Sequence, residues 1–308
     1  MNVNFNLKII SGTILHRVVR SAVFAFVLVY ACAVMHPLSA QSGSSKPALP
    51  SQQPQQLNLT PLQSQIERER ERLLSPDGET RRDAVLVLGA MMRPESARVA
   101  ATALTDSDVK VRAVAARAIL GLPSDEAASL LSGLILRDRN EFVRQEAAYA
   151  AGETESAQIV PDLISALETD RSAGVRGAAA VSLGLLGDKR AVPPLSGALN
   201  RRSRASGFLN RLRRRGADEN EFVRRSAARS LGQIGGTESV AELITALSNE
   251  EAGDDVRREA ARSLGSIGDP AAVPALRAAL TARDPYLSRI AYEALRRLAP
   301  DLATRPAS

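Results

Sequence analysis

From about residue 60 to residue 299 the chain repeats one pattern of apolar and polar positions. Its unit is a ten-residue phrase, V-R-x-x-A-A-x-x-L-G. Close copies are Val143–Gly152, Val175–Gly184, Val223–Gly232 and Val256–Gly265. Looser copies are Thr80–Gly89, Val111–Leu120 and Leu287–Arg296. The apolar residues at positions 1, 5, 6 and 9 form the stripe of one helix face, so each phrase predicts an amphipathic helix. The glycine at position 10 predicts a left-handed end to that helix. The second position runs through Arg81, Arg112, Arg144, Arg176, Arg224, Arg257 and Ser288, at intervals of 31, 32, 32, 48, 33 and 31. A period of about 32 residues accommodates two short helices and two turns.

The second helix follows each phrase. Leu163, Leu195, Leu243 and Leu276 stand 19 residues after the anchor arginine, and Leu167, Leu199, Leu247 and Leu280 stand 23 after it. This i, i+4 pair marks one buried face. Pro161, Pro193 and Pro274 precede it, where a first-turn proline leaves no hydrogen bond unmade. Six residues before the anchor come Asp106, Asp138, Asp170 and Asp218, with Glu251 in a later unit. A short carboxylate there predicts a cap on the coming helix. The Asp and Arg sets form either a charged binding row or a ladder of hydrogen bonds joining neighbouring turns; bidentate Arg–carboxylate geometry favours the ladder.

The pattern D-x-x-x-x-V-R-x-x-A-A-x-x-L-G followed by A-V-P-x-L-x-x-A-L resembles the HEAT repeat in its phycobilisome-lyase-like form. The resemblance covers residues 60–299 in about seven units. It implies an all-α, right-handed solenoid of the armadillo/HEAT type, with the phrase helices lining the concave side. The first unit, with the polar run Glu67–Arg72, and the last, with Leu287-Ser288 in place of Val-Arg, suit caps. The family also implies two enzyme classes, bilin lyases and deoxyhypusine hydroxylases that hold iron through His-Glu pairs. This chain's only histidines are His16 and His36, and its only cysteine is Cys32. Metal, thiol and Ser–His chemistry therefore lack their usual residues in the repeats, and the expectation is a non-enzyme without cofactor or metal.

Composition changes the picture at the N-terminus. Residues 1–40 hold Lys8, Arg17 and Arg20, no acid, the apolar run 21–35, and small residues at Ser39 and Ala40. That order predicts a signal peptide, with an uncleaved anchor at 21–35 as the alternative. Either predicts an exported protein, periplasmic or extracellular. Residues 41–59 are Ser/Gln/Pro-rich and predict a flexible tether, and 300–308 form a tail.

Charge is uneven. The chain carries +6, which falls to +3 without the three leader cations. Residues 200–217 lengthen the outlying interval and contain Arg201, Arg202, Arg204, Arg211, Arg213, Arg214 and Arg215 with no acid, leaving −4 for the rest. Phe208, Leu209 and Leu212 lend this insertion an apolar edge. It is either a binder of an anionic lipid surface or a solvated loop. Nucleic acid fits less well, for want of stacking aromatics.

Positions 3 and 7 of the phrase lie on one face away from the buried stripe. In the later units they supply Arg225, Arg229, Arg258, Arg262 and Arg289, with Tyr149 beside them in a middle unit. The expectation is a scaffold that binds a protein partner, through an acidic segment, on the concave face.

Overall fold

The computed structural model describes residues 59–201 and 220–303. The leader, the tether apart from Leu59, the insertion beyond Arg201 with Asp218, and the tail beyond Ala303 lie outside the described residues. The chain divides into two units, Met1–Leu57 and Asn58–Ser308, and the fold is that of the second.

Its described residues form fourteen α-helices and no strand. The phrases lie on α2 (Gly78–Ala90), α4 (Val109–Ala118), α6 (Glu141–Ala151), α8 (Ala173–Leu186), α10 (Glu221–Ile234), α12 (Asp254–Ile267) and α14 (Pro285–Leu298). Each follows a partner: α1 (Pro61–Arg72), α3 (Pro94–Ala101), α5 (Ser124–Arg137), α7 (Val160–Thr169), α9 (Val192–Asn200), α11 (Val240–Ser248) and α13 (Val273–Ala279). Seven helix pairs stack into an armadillo/HEAT-type solenoid. Successive even-numbered helices pack against one another far more extensively than successive odd-numbered ones. A curved stack requires that closeness on its inner row, so the phrase helices line the concave side.

Side-chain size explains the tight row. Positions 5 and 6 are alanines in most units, and Ala115, Ala116, Ala147, Ala148, Ala227, Ala228, Ala260 and Ala261 have no exposed surface. Val223, Leu231, Val256 and Leu264 complete the predicted stripe and are likewise fully buried. On the outer row Leu163, Leu195, Leu243 and Leu276 fill the layer between the two sets. The first-turn prolines stand where expected.

Two expectations are corrected. None of the position-10 glycines is left-handed, and only Gly152 stands at the end of its helix. Gly89, Gly184, Gly232 and Gly265 lie inside their helices, and Gly152 keeps right-handed angles. The left-handed glycines of α8 and α12 come three residues later, at Gly187 and Gly268. Where position 10 is glycine, position 8 of the next phrase helix lies close against it. A Cβ on Gly152 would stand 2.8 Å from the Ser182 backbone, and one on Gly265 2.7 Å from the Ala294 methyl. Where position 8 is serine, its hydroxyl donates to the position-6 carbonyl of the preceding phrase helix. Ser182 Oγ reaches the Ala148 carbonyl at 2.7 Å, Ser230 the Ala180 carbonyl at 2.8 Å and Ser263 the Ala228 carbonyl at 2.8 Å. The buried hydroxyl is thereby satisfied, and the register of adjacent repeats is set.

The turn aspartates, in turn, are not the helix caps. Asp108, Asn140 and Asn220 take that role through their side chains, four residues before the anchor arginine. Asp106, Asp138 and Asp170 each accept the N–H two residues on at 2.8 Å, folding the turn that leads into the helix.

Candidate functional site

The anchor arginines and turn aspartates build a ladder along one edge of the solenoid. Arg81 grips Asp106 with Nε and Nη2 at 2.7 and 2.8 Å. Arg112 grips Asp138 at 2.8 and 3.1 Å, and Arg144 grips Asp170 at 2.7 and 2.9 Å. Each arginine also donates Nη1 to the backbone of its own turn, as Arg112 does to the Asp106 carbonyl at 2.8 Å. These fork-to-fork bonds tie each repeat to the next. The Arg81 hydrogen bond holds the Asp106 carboxyl below its ordinary range. For Asp138 and Asp170 burial pushes upward, but the arginine and the backbone N–H outweigh it and leave both lowered. With their guanidinium groups committed inward, Arg81, Arg112 and Arg144 are a structural ladder and not a binding row.

The position-3 and position-7 side chains stand elsewhere, on the concave face. Glu221, Arg225, Arg229 and Gln233 form one exposed stripe along α10. Arg225, Arg229, Arg258 and Arg262 converge on a groove of about 430 Å³ between α8, α10 and α12. Val181, Phe222 and Ser226 contribute its less polar wall, and Asp255 and Glu259 its acids. Four arginines against two carboxylates leave the groove a net +2.

The arginines differ in how free they are. Arg258 is held by Asp284 at 2.6 and 2.9 Å and by Asp255 at 2.9 Å, and the Asp284 bond raises its pKa. Arg262 pairs with Glu259 at 2.6 Å, and Arg225 pairs loosely with Asp255 at 3.4 Å. Arg225 also lies over the Phe222 ring, 5.9 Å from its centre. Arg229 makes no ion pair among the described residues and is exposed. Arg289 lies outside the groove lining, exposed and paired with Glu293 at 3.0 Å. Tyr149 is half-buried on α6, also outside the lining; burial, aided by Glu146, raises its pKa. In the insertion Arg201 follows α9, and its six companions lie outside the described residues.

Phe222 was not anticipated from the sequence. It sits over Gly177, where an added Cβ would collide with the ring. The signal was present: position 3 of that phrase is glycine, where the others carry Arg, Gln or Ala. The described residues hold no cluster of three metal-ligating side chains and no helix long and apolar enough to cross a membrane.

The profile of HEAT repeats matches residues 68–152, 134–206 and 205–296. No curated protein matches in sequence. Among solved structures, the chain is similar to the complex of CpcE and CpcF of phycocyanin lyase from Nostoc sp. PCC7120, with 27% identity over 66% of this chain and 76% of that one and a TM-score of 0.46. It is similar to human deoxyhypusine hydroxylase in complex with glycerol, with 20% identity, 76% and 96% coverage and a TM-score of 0.37. It is also similar to a designed armadillo repeat protein, with 18% identity, 76% and 99% coverage and a TM-score of 0.39.

Proposed function

We propose that this chain, which belongs to the HEAT-repeat family, is an exported, non-catalytic scaffold that binds an acidic segment of another protein in the groove between α8, α10 and α12. The observation that carries the reading is the convergence of Arg225, Arg229, Arg258 and Arg262 beside Val181 and Phe222. An extended acidic segment meets complementary charge there, with Arg229 free to take a new partner and Phe222 offering an apolar contact. The solenoid carries these groups together on its inner face. Export rests on the order of charge, apolar run and small residues in 1–40. In the sequence, the arginines of 201–215 fall between α9 and α10 and are of the same sign as Arg225 and Arg229.

The test uses a fluorescent peptide of alternating glutamate and leucine, with a glutamine–leucine control. The protein should bind the acidic peptide, more weakly as salt rises, and Arg229→Glu with Arg262→Glu should weaken it at least tenfold at unchanged helical content. Unchanged affinity and salt dependence in the folded double variant would remove the groove from consideration. Retention on anionic vesicles with no binding of the peptide would favour the lipid reading of the insertion instead.

A further inference from the structure

The ladder described above loses its carboxylate at its last rung. The residue six before the second position of the next phrase is Asp138 facing Arg112 and Asp170 facing Arg144. For Arg257 the corresponding residue is Ala282. Asp284, the cap of α14, does not fill the gap, since its carboxylate is taken by Arg258. The Arg257 guanidinium, half-buried, makes one hydrogen bond among the described residues, from Nε to the Leu247 carbonyl at 3.0 Å. A cavity of about 840 Å³ opens at this point, lined by Arg257, Ala282, Leu247, Ala278, Arg283 and Tyr286 among others. Glu250 and Asp254 also line it, both exposed, and neither forms an ion pair with Arg257.

We propose that this cavity is a carboxylate slot, and that an aspartate side chain of a partner's peptide segment fills it and completes the rung in trans. Three intact rungs show what the site is built to hold: a carboxylate gripped by the arginine fork at 2.7 to 3.1 Å. A guanidinium with unmet donors in a half-buried position gains most from such an acceptor. The cavity is far larger than one carboxyl group, so the residues flanking the aspartate enter with it, along the alanine wall of α13 and the exposed ring of Tyr286. Its cations Arg257, Arg258 and Arg283 are balanced by Glu250, Asp254 and Asp284, so selection rests on the placement of the fork and not on net charge. The slot and the groove share Arg258 in their walls, but Arg257 does not line the groove, and Arg229 and Arg262 do not line the slot.

The probe is a blocked hexapeptide copying Leu104–Val109, whose Asp106 fills a rung in the protein itself. The control peptide carries asparagine in place of Asp106. Binding is followed by the Nε–H resonance of Arg257 in the full chain, assigned with Arg257→Gln. Saturable shifts with the aspartate peptide and at least tenfold weaker binding of the asparagine peptide support the slot. Arg257→Gln should abolish binding. Ala282→Asp should raise the melting temperature and block the peptide, because the rung is then filled in cis. The Arg229→Glu/Arg262→Glu variant should bind the hexapeptide as the parent does, which separates this slot from the groove. Equal affinity for the two peptides, no saturable shift, or binding retained in Ala282→Asp overturns the proposal. So does an equal response to sodium acetate at matched concentration, which would make the site one for free carboxylates.

Discussion

The Arg112–Asp138 rung should couple α4 to the turn before α6 by about 2 kcal/mol, measured as a double-mutant cycle. Asp138 is 7% exposed and Arg112 15% exposed, and two bonds of 2.8 and 3.1 Å join them. A hydrogen bond to a charged group contributes about 1.5–3 kcal/mol, and removing one partner of a buried pair costs about 3–5 kcal/mol because the other charge is stranded. Here the stranded group keeps some partners. Arg112 retains the Asp106 and Ser107 carbonyls at 2.8 and 3.2 Å, and both groups keep some contact with water. The single variants Arg112→Ala and Asp138→Ala should therefore each lose about 2–4 kcal/mol, and the double variant less than their sum by about 2. The assay is urea unfolding followed by far-UV circular dichroism. It is fitted as a sum of repeat and interface terms, since a stack of repeats need not unfold in one step. The exposed Arg98–Glu126 pair, at 3.2 Å with 57% and 40% exposure, is the internal control and should show the ~0–1 kcal/mol of surface pairs. Coupling in the rung no larger than in this control would refute the claim that the ladder joins the repeats.

Gly232→Ala should destabilise by about 1–3 kcal/mol, because its Cβ would stand 2.9 Å from the Ser263 Cα, and this overpacking exceeds the ~1 kcal/mol helix preference of alanine. Gly133→Ala, with nothing within 4 Å of the new methyl, should instead stabilise by up to ~1 kcal/mol, and the two unfolding curves shifting alike would show that helix propensity alone decides. Asp106, Asp138, Asp170 and Asp284 all have lowered folded-state pKa values, so the unfolded chain binds more protons in acid. Their contribution is complete above about pH 5 and is lost as pH falls from about 4 through the lowered folded-state values; a urea midpoint equal at about pH 6 and about pH 3 would contradict it. Exported protein should have the intact mass of a chain starting near Gln41, and a membrane-held species retaining residues 1–40 would show an anchor instead.

The helix pairs were legible in the residues because a fixed period of apolar positions admits few architectures. The ladder was legible for a related reason: Asp and Arg at constant spacing imply constant geometry. The meaning of the position-10 glycine was not legible. A glycine after a helical phrase serves either as a left-handed terminus or as a place where a neighbour comes close. The choice depends on the register between helices about 32 residues apart, which a one-dimensional pattern does not contain. The same limit hid Phe222, whose position over Gly177 links α10 to α8 across 45 residues. Of the predicted concave arginines, the structure gathers four into one groove and leaves Arg289 outside it. Position within the phrase did not distinguish Arg258, which is held by Asp284, the cap of α14.

The serine–glycine contact also bears on how such a chain is lengthened and how it stops. On α8, α10 and α12 one helix carries both halves, a position-8 serine for the neighbour before it and a position-10 glycine for the neighbour after it. Such helices are interchangeable links: a duplicated pair joins on either side without redesign, provided that a whole unit is copied, and a partial copy would face serine with something larger than glycine. The last link breaks the rule. α14 carries Arg296 where the glycine would be, exposed and lying over the Tyr292 ring at 5.9 Å. The other phrase without this glycine, on α4 with Leu120 at that position, stops its helix at Ala118 and α6 still packs on it, whereas α14 runs on past Arg296 to Leu298.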